Sequence, residues 1–121
     1  MPHVMLKGPT SVEDIWLAYS PVEVAEKGNR YKSEGAYLSA DRTELLVRSL
    51  VVERGFRKNF FVRIFRRDDG LIHIGLDHLQ QPDKSDGVKR LLGLYAWRIM
   101  QSDPEMIVAS TNIEGFLGDP Q

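Results

Sequence analysis

Four residues of this 121-residue chain could form a chemical site together: Arg48, Arg63, His73 and Asp77. Arginine suits bidentate binding of a carboxylate or phosphate. If Arg48 and Arg63 lie opposite each other on paired strands, their like charges call for an anion between them or for Asp77 as an internal carboxylate. The four are therefore the candidate ligand- or anion-binding residues. A metal reading of His73, Asp77 and His78 fails on spacing. His73 and His78 differ by five positions and point to opposite faces of a regular strand. His73 and Asp77 share a face but stand about 13 Å apart at roughly 3.3 Å per residue. No metal site is expected.

Recognisable catalytic patterns are missing from the sequence. There is no glycine-rich phosphate loop ending in Lys-Ser/Thr, no Gly-x-Ser-x-Gly and no His-Glu-x-x-His. Residues 83–87 lack the glycine placement and the distal glutamate of a calcium loop. Cysteine is absent, which removes disulfides, a thiol nucleophile and cysteine-ligated metals. No catalytic residue or cofactor is expected, and the balance leans away from an enzyme.

The elements that must position Arg48, Arg63 and His73 lie in the stretch 45–79, which reads as three antiparallel strands. Alternation puts Leu45, Val47, Val51, Phe60, Val62, Ile64, Ile72, Ile74 and Leu76 on one face. A three-residue loop, Asp68-Asp69-Gly70, with a left-handed glycine pairs Ile64 with Ile74 and Val62 with Leu76. A two-residue turn at Gly55-Phe56 would set Val51 opposite Phe60 and Arg48 opposite Arg63. The opposite face holds Leu46, Arg48, Leu50, Val52, Phe61, Arg63, Phe65, His73 and Asp77, more apolar than a solvent face should be.

Around this unit, 31–39 reads as a further strand, giving a four-stranded antiparallel meander over 31–39, 45–53, 59–67 and 71–79. Ser11 and Asp14 approximate a capping box before Val12, Ile15, Trp16 and Tyr19 at helical spacing, so 11–19 is expected as a short helix. Ser20-Pro21 and Glu23 suggest a second, over 21–27, stopped by Gly28. Ser85 suits the cap of a helix over 86–101, whose stripe Val88, Leu91, Leu92, Tyr95 and Ile99 packs on one sheet face. Residues 106–111 could add a short strand. The expected fold is α+β, one domain over 1–121, with 1–10 and 112–121 as loose termini.

Charge adds a last clue. Residues 42–67 hold eight basic and two acidic residues, net +6, so the rest of a chain of net charge −1 carries −7. Either the flanks neutralise this middle, or it is an anion or nucleic-acid patch built on Arg54, Arg57, Lys58, Arg66 and Arg67. No apolar run resembles a signal peptide or a membrane span, so the cytoplasm is the expected compartment and no membrane partner is expected. The leading expectation is a non-catalytic binding or regulatory module. It would act as a homodimer or with a protein partner through Leu50, Val52, Phe61, Phe65 and Trp97. Nucleic-acid binding is the alternative.

Overall fold

A computed structural model describes residues 1–78 and 82–121. It is mostly β. Seven strands, β1 (His3–Lys7), β2 (Glu23–Glu26), β3 (Asn29–Leu38), β4 (Glu44–Glu53), β5 (Phe56–Arg66), β6 (Ile72–Leu76) and β7 (Ile107–Thr111), form one antiparallel curled sheet in the order β2-β3-β4-β5-β6-β1-β7. A short helix α1 (Val12–Leu17) and a long helix α2 (Asp86–Ser102) complete the fold with a 3₁₀ turn, Glu114–Phe116. This replaces the expected four-stranded meander with several helices. Leu79, expected at the end of β6, lies outside the described residues. No helix among the described residues is long and apolar enough to cross a membrane.

Side-chain alternation explains most of the sheet. The nine aliphatic and aromatic residues assigned to one face of 45–76 are all buried, and they pack against Leu91, Leu92, Tyr95 and Ile99 of α2 inside the curl. The β5–β6 loop is as expected: Gly70 has φ +86°, and Ile64 pairs with Ile74 and Val62 with Leu76. The β4–β5 hairpin differs. Its turn is Arg54-Gly55, with φ +53° and +81°, the pair of left-handed residues a type I′ turn requires. Val51 therefore pairs with Lys58, and Arg48 with Phe61 rather than Arg63.

Two corrections concern the first third of the chain. Residues 1–10, expected as a leader, contain β1, which lies between β6 and β7 and places Val4 and Leu6 fully inside. Residues 21–27, expected as a helix, contain β2 and the start of its turn. There Lys27 and Gly28, φ +51° and +81°, make another type I′ turn, so glycine serves a hairpin and not a helix stop. Buried Val22 and half-buried Val24 alternate with exposed Glu23 and Ala25, a strand period that the capping residues mask.

Helix starts follow their caps. The Ser11 side chain accepts from the Asp14 backbone N–H at 3.1 Å, and the Ser11 N–H donates to the Asp14 carboxylate at 3.2 Å. Ser85 Oγ accepts from the Val88 N–H at 3.3 Å. The C-terminal segment, expected to be loose, is tied down. Arg90 donates to the carbonyls of Phe116, Gly118 and Asp119 while its guanidinium pairs with Glu26, and the Gln121 N–H also reaches Glu26.

Candidate functional site

The face of the sheet turned away from α2 carries most of the residues singled out from the sequence. Its rows follow from the strand registers. One row runs Lys32–Leu50–Asn59, the next Arg48–Phe61, the next Leu46–Arg63–Gly75–His3, and the last Glu44–Phe65–His73–Met5. At the far end Arg30, Val52 and Arg57 are neighbours. Extending the β5–β6 register by one residue places Asp77 beside Phe61, and the Asp77 N–H donates to the Phe61 carbonyl at 3.1 Å.

Arg63 is already engaged. It forms an ion pair and hydrogen bond with Glu44, the residue two before Leu46 on β4, and its guanidinium lies 4.0 Å from the centre of the Phe65 ring. Arg48 has a looser partner, Glu34, at 3.9 Å. The two arginines sit on a diagonal, not face to face. Their like charges do not demand the intervening anion that the expected register implied.

His73 belongs to a stack. Its ring lies 5.6 Å from His3 with 15° between planes, and 4.9 Å from Phe65. It also rests on Gly75, where an added Cβ would come within 2.6 Å of the imidazole. Burial, helped by the positive charge of His3, Arg67 and Arg63, pushes the His73 imidazole down from 6.5 to about 4. A neutral ring against aromatic neighbours serves packing, and the protonated form is disfavoured in the fold. Between pH 6.5 and about 4 the unfolded chain binds a proton that the folded chain does not. Stability attributable to His73 is therefore complete above pH 6.5 and declines as pH falls toward 4. For a partly exposed ring the loss is about 1–2 kcal/mol. Unfolding free energies of the parent and His73→Phe from urea melts should diverge by that amount across this range; parallel curves would contradict the assignment.

The remaining expected sites are dispersed. Leu50, Val52, Phe61 and Phe65 share the outer face, with Leu50 largely covered. Trp97 does not join them, because α2 lies on the other side of the sheet. Arg54, Arg57 and Lys58 cluster at the β4–β5 turn, whereas Arg66 and Arg67 stand at the opposite end of β5, ~30 Å away at ~3.3 Å per residue. Lys58 pairs with Glu53 at 3.1 Å, Arg67 with Asp69 at 3.5 Å, and Arg66 donates to the carbonyls of Gly70 and Thr10. Much of the basic middle is thus neutralised or occupied locally. The five residues do not form one nucleic-acid patch.

A different basic group, which the sequence expectation does not include as a cluster, lies on β3 and β5. Arg30 and Lys32, outward on β3, adjoin the outward residues of β4, and with Arg57 they surround Val52 and Leu50. All three are exposed and make no ion pair among the described residues. The available signal was alternation around buried Tyr31 and Ser33; the β3–β4 register was needed to use it.

No protein-family model, curated protein or solved structure matches this chain.

Proposed function

We propose that this protein is a non-catalytic binding module that docks an acidic protein partner on the outer face of its sheet. The observation carrying this reading is the exposed trio Arg30, Lys32 and Arg57 around half-buried Val52; the three make no ion pair among the described residues even though Glu23 stands opposite Lys32. Charge segregation supports it. Outward positions hold seven basic residues (Lys7, Arg30, Lys32, Arg48, Arg57, Arg63, Arg67) and four acidic ones (Glu23, Glu34, Glu44, Asp77), net +3, which leaves −4 for the rest of a chain of net charge −1. Half-buried Leu46, Phe61 and Phe65 supply apolar contact between the charges. Two copies meeting through this same face would oppose like charge, so a complementary acidic partner is favoured over a homodimer at this surface.

The test is fluorescence anisotropy with a labelled peptide alternating glutamate and leucine. Arg30→Glu combined with Arg57→Glu changes exposed side chains only and should weaken binding about tenfold or more, with affinity falling as salt rises. Equal affinity of parent and variant would remove this surface from the binding reaction. Tighter binding of an oligothymidylate than of the peptide would move the reading to nucleic acid.

A further inference from the structure

On the other side of the sheet, between α1, α2 and the middle strands, is a cavity of about 60 Å³. Leu45, Val47 and Ile64 form its floor, and Ile15 and Ile99 line its walls. Its two tyrosine hydroxyls are already satisfied: Tyr19 donates to Ser33 Oγ at 3.0 Å, and the Tyr95 hydroxyl shares a 2.7 Å hydrogen bond with Ser49 Oγ. Water needs two to four polar partners to be held in such a space, and these walls offer few. The cavity therefore favours an apolar occupant.

Its mouth is different. Ala18, Ser20 and Ser102 are exposed there, and Arg98 stands among them. The Arg98 guanidinium donates to Ser20 Oγ and lies 5.6 Å from the Trp97 ring, with no carboxylate partner among the described residues. A dry aliphatic interior with an unneutralised guanidinium at its entrance is complementary to an amphiphilic anion. We propose that this cavity binds a short-chain monocarboxylate of about four carbons, the length that about 60 Å³ accommodates, with its hydrocarbon over Leu45, Val47 and Ile64 and its carboxylate on Arg98. The planar fork of arginine matches the two carboxylate oxygens. This site lies across the sheet from the proposed partner face and uses none of its residues.

Calorimetric titration of the full chain with butyrate, and with n-butanol as the uncharged counterpart, tests the assignment. Saturable one-to-one butyrate binding is expected. Arg98→Gln should weaken butyrate at least tenfold while leaving butanol nearly unchanged. Ala18→Trp, at an exposed position on the mouth, should abolish both, and Ser102→Trp is the second blocking variant if Ala18→Trp lowers the melting temperature. Three results would overturn the proposal: no saturable butyrate binding by the parent, unchanged binding in a folded blocking variant, or equal effects of Arg98→Gln on acid and alcohol.

Discussion

Arg90→Met is expected to lower the free energy of unfolding by about 3–5 kcal/mol, the range for removing one partner of a buried ion pair. Arg90 and Glu26 side chains are only 11% and 7% exposed. Arg90 Nε donates to Glu26 Oε1 at 2.6 Å and Nη2 to Oε2 at 3.3 Å, a two-pronged contact. The hydrogen bond from Arg90 holds the Glu26 carboxyl below its usual value in spite of burial. Methionine fills part of the space but leaves that carboxylate uncompensated. It also removes the donors to Phe116 at 2.8 Å, Gly118 at 3.1 Å and Asp119 at 3.0 Å. The last residues should then become open to proteolysis, because their hydrogen bonds to α2 and β2 run through this one guanidinium and its partner. Equilibrium urea unfolding with limited digestion checks both effects. A loss below about 1 kcal/mol would mean that the buried carboxylate finds another partner or water.

Gly93→Ala is expected to destabilise by about 2–3 kcal/mol, against the usual direction for a helix interior. Exchanging glycine for alanine inside a helix ordinarily gains about 1 kcal/mol. Here an added Cβ would stand 2.0 Å from the Phe116 carbonyl oxygen and 2.9 Å from its carbon. Both are backbone atoms, so the C-terminal segment must move away from α2. The same carbonyl accepts from Arg90, so the movement also breaks that hydrogen bond. The two substitutions act on one attachment, and the Arg90→Met/Gly93→Ala double variant should lose less than the sum of the singles. Chemical melts of the four proteins measure the coupling. A stabilised Gly93→Ala, or strict additivity, would contradict the close packing of α2 on the tail.

Which parts of this fold were legible follows from the range over which each signal acts. The inward faces of β4, β5 and β6 could be read because period-two alternation is local and runs through long strands. The β4–β5 register could not. Placing the turn at Gly55-Phe56 rather than Arg54-Gly55 slides the partner by two residues, and a slip of two preserves every face while changing every pair. The core was therefore assigned correctly while Arg48 and Arg63 were set opposite each other. β1 and β2 are five and four residues long, too short for alternation to outweigh a leader-like N-terminus or the Ser20-Pro21 cap signal. The strand state of β1 comes from partners far along the chain, β6 and β7, and that of β2 from the hairpin it closes with the adjacent β3.

The candidate face was half legible for the same reason. Phe61, Phe65, Arg48 and Arg63 were placed on it by alternation alone. Arg30 and Lys32 joined it only once the β3–β4 register was known. Trp97 was assigned to it from its hydrophobicity, although its helix packs on the opposite side of the sheet. Arg90 gave no local sign of its role, since its acceptors Phe116, Gly118 and Asp119 lie beyond the end of α2 and β7. Tyr95 was correctly read as a core residue, but its contact with Ser49 and the adjoining cavity depend on how α2 sits against the sheet.

The proposed partner docks on the outer face of the sheet. Backbone-amide chemical-shift mapping of nitrogen-labelled protein, titrated with the glutamate–leucine peptide, tests it most directly. Perturbations should concentrate at the outward positions Arg30, Lys32, Arg48, Arg57 and Phe61 and be small at Trp97 and Arg98 on α2. Perturbations centred on α1 and α2, or none at saturating peptide, would contradict a binding surface on the outer face of the sheet.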